Sequence, residues 1–494
     1  MRAMFTLSPI QSIVPLTNGA RMDLHERARA RCHWLPDLTG RTGARYQVLV
    51  DQLAADIASG QLKPGDRLPP QRLLADALEV TIGTITRAYR EAERRGLVEA
   101  RVGSGTRVKG TTEQPPDFHH LSRAGHDSID LSLSIPIPNP LRQQQLATIL
   151  QQIASLPTAI ESALTYQPEQ GSPLQREQLC QWLNAQGLML LPEEVILTEG
   201  GQHADFLALQ ALIKPGEAVA SAALTYPGMI AAARQLGLKH IPVPMDREGI
   251  RPEALERLCQ QQRIRLLYLM PEYNNPTGLS MSQQRREAIV EVARRHDMLL
   301  LEDGVQFVTP DLRGTPLFEL APERALYIFS ASKLLSGGLR FGALRAPSNL
   351  MPQLRVALRA QCWSSPGLMG AVTCQWLAKG HADPLLHWHW DEVRTRQKLL
   401  HEVLGQYNLS SHPCGFHGWL QLPEPWRAAD FVKLADSRGV TLIAAEPFCV
   451  GTQPAPQAVR ICVTPPASRE RLQEGLERLA QLLHDEPPLM PPLL

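Results

Sequence analysis

A chain of 494 residues exceeds what one hydrophobic core organises, and length alone anticipates roughly three domains. Apolar residues make up 44% and charged residues 20%, the balance of an ordinary soluble globular protein, and no apolar run approaches the roughly 20 residues that span a bilayer. The N-terminus lacks the basic, apolar and small-residue regions of a secretory leader, and the eight cysteines are scattered singly without a CxxC pair; neither a disulfide framework nor a metal site is expected, and the cytoplasm is the expected compartment.

The net charge of +1 is unevenly spread. Residues 1–110 hold 17 Lys/Arg against 11 Asp/Glu, net +6, and the remainder holds 33 against 38, net −5. A basic head on an acidic body suits a head that meets phosphate.

Residues 1–44 show no sustained period and read as an N-terminal tail, with Trp34, Pro36 and Leu38 available to pack on the head. From Arg45 the pattern sharpens. Tyr46, Leu49, Val50, Leu53 and Ile57 recur at helical spacing up to Gly60. Pro64-Gly65 marks a turn, and Pro69-Pro70 opens a second helix with leucines at 73, 74 and 78. A break at Glu79–Thr81 precedes a third helix carrying Ile82, Ile85, Ala88 and Tyr89, with Thr81 as its cap. Helix, short turn, helix is the geometry that lays a second helix in the major groove. Leu97–Arg101 and Thr106–Lys109 flank Gly103-Ser104-Gly105, a hairpin whose Arg101 and Arg107 would meet a phosphate backbone or minor groove.

The run from Arg45 to Val108 resembles a complete GntR-type winged helix-turn-helix, assigned to residues 45–110. It carries Gly60, Leu62, Pro64-Gly65 and Leu68-Pro69 in order, then Arg72 with Leu74-Ala75, then Thr86 with Ala88-Tyr89, then Gly96-Leu97-Val98 and Gly103-Ser104-Gly105-Thr106. The resemblance implies DNA contact by Arg72, Thr84, Thr86 and Arg107. Two departures stand out: Glu79, where the family usually ends the helix with glycine, and Ile82-Gly83, where many members place a base-reading arginine.

Residues 111–130 read as a linker, rich in Pro and Gly and without apolar period; the His119-His120 pair in it has no ligand partner at useful spacing. From Leu131 to the end, helix and strand signals alternate in the α/β pattern of a largely parallel sheet. Strands at Val195–Thr198, Ala218–Ala222, Leu266–Met270 and Met298–Leu301 end respectively in Gly200-Gly201, Thr225-Tyr226-Pro227, Asn274-Asn275-Pro276-Thr277-Gly278 and Glu302-Asp303. A double glycine between strand and helix favours an anion, and a carboxylate at a parallel strand's C-terminal end stands where such folds bind ligands. Tyr327-Ile328-Phe329 then runs into Ser330-Ala331-Ser332-Lys333, with Arg340 seven residues on. A lysine there can be kept neutral as a nucleophile, and the arginine offers a planar fork to phosphate.

In order and spacing these residues resemble the fold-type I aminotransferases, which hold pyridoxal 5′-phosphate (PLP) covalently on the lysine; residues 131–494 are assigned to such a domain. The resemblance implies that Gly200 and Gly201 join a phosphate cup with Ser330 and Arg340, Tyr226 stacks on the ring, Asn275 bonds the ring hydroxyl and Asp303 pairs with the ring nitrogen. It implies Lys333 as the catalytic residue, Arg460 as the clamp of a substrate carboxylate, and Tyr166 reaching the phosphate of a partner subunit in a homodimer. The hydroxyl usually found two or three residues after the aspartate is missing, since Asp303 is followed by Gly304-Val305-Gln306. The whole is thus expected to be multidomain, an α+β winged helix-turn-helix head followed by an α/β aminotransferase-like domain, and resembles the MocR-type transcription regulators. A regulator that senses PLP or a PLP–amino acid adduct is the first reading. An active aminotransferase that carries a DNA-binding head stays open beside it.

Overall fold

The computed structural model describes residues 25, 28–29, 32–38, 43–63, 65–95, 97–101, 105–108, 128–378 and 380–485. Most of the expected tail, the linker up to residue 127 with His119-His120, the wing tip 102–104 and the side chain of Arg101 lie outside them. The chain divides into two compact units, Met1–Glu113 and Gln114–Leu494.

In the first unit α1 (Arg45–Ala58), α2 (Gln71–Leu78) and α3 (Ile82–Arg94) precede an antiparallel pair, β1 (Val98–Arg101) and β2 (Gly105–Val108), in which Val98 faces Val108. Leu49, Leu53, Leu74, Ile85, Ala88 and Val108 fill one core. Burying each of its larger side chains contributes about 2 kcal/mol. Thr81 caps α3 as its sequence suggests, its Oγ1 accepting from Thr84 N at 3.2 Å. Pro69 and Pro70 lie just ahead of α2 rather than inside its first turn, Pro70 holding the extended N-cap position. The segment before Arg45 contributes more than a tail: Trp34 is buried in this core and donates from Nε1 to Asp56 Oδ2 at 2.8 Å, and Arg29 donates to Ala77 O at 3.0 Å.

In the second unit seven strands form the main sheet: β3 (Val195–Thr198), β4 (Ala218–Ala222), β5 (Lys239–Val243), β6 (Ile264–Leu269), β7 (Leu299–Asp303), β8 (Ala325–Ser330) and β9 (Gly342–Arg345). Their order is β3-β9-β8-β7-β6-β4-β5, and β9 alone runs against the others. The inner strands β4, β6 and β8 are apolar nearly throughout because both faces are covered, whereas the edge strand β5 carries Lys239 and His240 and is only partly buried. Leu267, Leu300 and Phe329 enter one core, while their neighbours Leu266, Leu301 and Ile328 enter the other. A second sheet, ordered β10-β11-β13-β12, is built from β10 (Asn408–Ser411), β11 (His417–Gln421), β12 (Ile443–Ala444) and β13 (Ala458–Cys462). Ile129–Asp130, which the sequence left in the linker, pairs instead with Val440–Thr441 and ties the start of the unit to its C-terminal part. Helices that bear on the site are α4 (Pro140–Ala154), α5 (Gly201–Leu212) and α6 (Ala382–Leu404). No described helix is long and apolar enough to cross a membrane.

Glu79 explains its own oddity in the sequence. It closes α2 in the left-handed region, φ 55 and ψ 43, where glycine is the usual residue, and an exposed ion pair to Arg29 at 3.0 Å offsets little of that strain. Glu79→Gly is expected to stabilise the head by about 1 kcal/mol, raising its thermal transition by a few degrees; a lowered transition would show that the Arg29 contact outweighs the backbone term.

Candidate functional site

Six strands of the main sheet bring their C-terminal ends to one edge, and β9, being antiparallel, begins at that same edge. The topology therefore gathers Gly200 and Gly201 after β3, Tyr226 after β4, Asn275 after β6, Asp303 at the end of β7, Ser330 and Lys333 at and after β8, and Arg340 two residues ahead of β9. All of these except Gly200 line a cavity of about 610 Å³, joined by Arg460 from β13. Gly200 adjoins its wall, hard against the Arg340 guanidinium. Tyr166 is not among them: it is 86% exposed on the surface, its ring 6.1 Å from that of Trp363.

Lys333 is half-buried and donates from Nζ to Ser134 O. Burial, helped by the nearby Arg460 charge, pulls its pKa down to about 8, with Cys462 and Asp303 acting weakly the other way. Asp303 is 4% exposed. Burial raises its pKa, while hydrogen bonds from Tyr268 Oη to Oδ2 (2.6 Å) and from Val305 N to Oδ1 (2.9 Å) and the Lys333 charge hold it back. A carboxylate fixed on both oxygens at the floor of such a cavity is placed to pair with a cation.

At the other end the chain makes an anion cradle. Gly200 has φ +88, and a Cβ there would lie 2.8 Å from Arg340 Nη2; a Cβ on Gly201 would lie 2.6 Å from Val305 Cγ2. Only glycine lets the first turn of α5 come this close, with its leading N–H groups lacking helical acceptors. Arg340 Nη2 donates to Glu199 O at 2.7 Å, and Ser330 Oγ bonds both Ser332 Oγ (3.1 Å) and Ser332 N (3.2 Å). The helix dipole, the N–H groups and the guanidinium all favour a dianionic phosphate. Across the cavity Arg460, 6% exposed, donates to Asn275 Oδ1 at 2.9 Å and to Ser132 O at 2.6 Å. The Asn275 oxygen is thereby engaged, which leaves its NH₂ as the group able to donate into the cavity. Val305, where a hydroxyl was missed in the sequence, fills the wall against Gly201.

Sequence reasoning missed two residues of this cavity. Asp205, one turn into α5, is 1% exposed with Oδ1 unpartnered, and burial together with the Asp303 charge pushes its pKa well up; a lone acid in the apolar run Ala204–Leu209 was the available signal. Arg142, in the first turn of α4, also lines the cavity, and nothing in its sequence setting marks it. Elsewhere, Glu199, His203 and Cys362 bring one ligand atom each within 4.8 Å, yet both imidazole nitrogens are occupied, by Glu199 N at 3.0 Å and Gln361 Oε1 at 2.7 Å.

In the head, Arg72 is exposed, whereas Thr84, Thr86 and Arg107 are half-buried. Thr84 Oγ1 meets Thr81 Oγ1 at 2.9 Å, Thr86 Oγ1 lies at hydrogen-bond distance from Gln71 Oε1 (2.7 Å) and Ile82 O (3.0 Å), its one proton serving either, and Arg107 Nη1 donates to Gly65 O at 3.0 Å. Thr86 thus staples α3 to α2. Arg87 and Arg90, exposed on α3, were not singled out by sequence.

A three-helix winged head and a seven-stranded sheet with a lysine–aspartate–arginine cavity define an aminotransferase fold joined to a DNA-binding module. Residues 132–479 match the family of class I and II aminotransferases, and residues 45–108 match the bacterial regulatory proteins of the gntR family. The chain belongs to the class I and II aminotransferase family, in the MocR-type arrangement that puts a GntR head before that domain. It is 28% identical to the uncharacterized HTH-type transcriptional regulator YdeF of Bacillus subtilis, over 92% of this chain and 97% of that one. It is also 28% identical to the HTH-type pyridoxine biosynthesis transcriptional regulator PdxR of Corynebacterium glutamicum, over 82% and 88%. Among solved structures, LysN, the α-aminoadipate aminotransferase of Thermus thermophilus complexed with N-(5′-phosphopyridoxyl)-L-leucine, superposes with TM-score 0.66 at 25% identity, covering 73% of this chain and 92% of that one.

The lowered Lys333 pKa fixes a pH dependence. Between about pH 8 and the usual lysine value of 10.5 the folded chain binds fewer protons at this residue than the unfolded chain, so its contribution to stability rises with pH across that window. Reductive trapping of Lys333 by a small aldehyde, followed by peptide mass spectrometry, should therefore rise with a midpoint near pH 8; a midpoint at the ordinary lysine value would contradict the burial argument.

Proposed function

We propose that this protein is a PLP-binding transcription regulator acting in the cytoplasm, whose aminotransferase-like domain senses PLP or a PLP–amino acid adduct and changes how paired heads hold DNA. The observation that carries the reading is the convergence of Lys333, Asp303 and Arg340 on one cavity in a chain that also bears a winged helix-turn-helix. The cradle at Gly200-Gly201, which any Cβ would fill, fits a phosphate ester. PLP, when bound, supplies an aldehyde for the lysine and an electron-withdrawing ring.

The chain's own residues would then divide the work. Lys333 presents its amine in the neutral form, Asp303 holds a proton on the ring nitrogen, and Tyr226 covers one ring face. Asn275 Nδ2 donates to the ring oxygen, Ser330 and Arg340 hold phosphate oxygens, and Arg460 receives an α-carboxylate. The similarity to YdeF and PdxR over most of both chains supports a regulator. Val305 supports it on chemical grounds: one donor to the ring oxygen is missing, which blunts proton transfer without removing the anchor. Pairing of two chains is supported by exposed apolar side chains on the second unit: Leu164 (83%), Tyr166 (86%) and Trp363 (58%) face solvent, and the helix Pro157–Leu164 buries none of its residues. Two heads in a dimer would read two half-sites.

The purified protein should be yellow, and Lys333→Ala should fold but be colourless, with no borohydride-reducible chromophore; a retained chromophore would place the anchor on another lysine and end this reading of the cavity. Amino acids should change the spectrum of the unmodified protein while transamination stays far below the roughly 10 per second typical of enzymes. Rapid multiple turnover would instead favour an active aminotransferase with a DNA-binding head.

A further inference from the structure

The cavity holds more cationic charge than the proposed reading uses. Arg142, Lys333, Arg340 and Arg460 line it, against the carboxyls of Asp205 and Asp303. A PLP phosphate, the PLP aldehyde and an amino acid α-carboxylate account for Arg340, Lys333 and Arg460 respectively. Arg142 is left over.

Its surroundings leave it uncompensated. Nη1 donates to Ile137 O at 2.7 Å, but Nε and Nη2 have no partner. Among the described residues no carboxylate stands at ion-pair distance from it, and Glu392 of α6, the acid that acts on the neighbouring His389, is committed to Arg396 (2.8 Å) and Arg469 (2.6 Å). A titratable neighbour on the same helix is His389, 2% exposed with both ring nitrogens unpartnered. Burial first and the Arg142 charge second keep that imidazole neutral, with a pKa pushed down to about 3. Burial also lowers Arg142 itself to about 10. A half-buried guanidinium with two idle donors costs stability unless an anion arrives. It also stands in the first turn of a fifteen-residue helix, where the dipole adds to its attraction for negative charge.

We infer that the effector carries a second acidic group, as an amino acid whose side chain ends in a carboxylate or sulfonate does, and that Arg142 is the residue that selects it. This rests on the PLP reading above. The planar fork suits the two oxygens of such a group, and an uncharged analogue would leave the donors buried and unsatisfied.

The test uses the full-length, PLP-loaded protein, titrated with L-glutamate, L-glutamine, L-aspartate and L-asparagine while the cofactor absorbance is followed. In at least one pair the acid should bind about tenfold or more tightly than its amide, the worth of one charged hydrogen-bonded contact. Arg142→Gln should shrink that ratio to within about twofold while the cofactor absorbance remains. Arg142→Lys, which keeps the charge but not the fork, should retain part of the preference, and serves alone if the glutamine variant does not fold. Equal binding of acid and amide in both pairs, no spectral response to any of the four, or a preference that survives both substitutions would overturn the assignment. A protein with no absorbance that Lys333→Ala removes contradicts the PLP reading itself, and this inference with it.

Discussion

The structure turns on a single register. Strands β7 and β8 lie side by side and parallel, with Asp303 opposite Ile328, so that the last residue of one strand and the loop after the other deliver a carboxylate and a lysine to the same buried edge. Burial moves the two in opposite senses, Asp303 upward and Lys333 downward, and each charge partly restrains the shift of the other. A one-residue slip would turn Asp303 to the opposite face and break the pairing. The reversed strand β9 completes the arrangement, because only an antiparallel strand beside β8 starts at this edge and can bring Arg340 to the glycines after β3.

Arg460 links this edge to the rest of the second unit. It reaches from the small sheet to Asn275 in the turn after β6 and to Ser132 in the entry segment. These are three stretches far apart in the chain. A ligand carboxylate that competes for this guanidinium would weaken those bonds and bias how the C-terminal part rests on the sheet. That supplies a physical route from ligand chemistry to a change of shape, and it needs no turnover.

Much of this was legible in the sequence because the chemistry leaves few residue choices. Apolar runs give the strands, and the glycine pair, Asp303 and Lys333 fall at or just after their ends, with Asn275 in the turn after β6; what these positions would do together came from their resemblance to the fold-type I aminotransferases. The strand at Ala218–Ala222 and the helix cap at Thr81 coincide with their expected places. What could not be read depends on tertiary neighbours. Trp34 packs on the head as the sequence suggests, but its hydrogen-bond partner Asp56 could not be named from the sequence. Thr86 looks like a groove-facing hydroxyl until Gln71 takes it. Asp205 stands out in the sequence as a lone acid in an apolar run, but it and Arg142 become significant only because the fold leaves both in the lining of one cavity with unmade hydrogen bonds, which spacing does not show. Glu79 is the reverse case, a departure seen in the sequence whose left-handed backbone the structure then supplied.

The central claim is that occupancy of the Lys333 cavity alters DNA binding. The most direct measurement is the affinity of the full-length protein for the DNA upstream of its own coding sequence, at fixed salt, with and without PLP, for the unmodified chain and for Lys333→Ala. The account predicts that PLP shifts the affinity of the unmodified protein and leaves that of the lysine variant unchanged. Equal affinities with and without PLP in the unmodified protein, when its absorbance shows the cofactor bound, would contradict it.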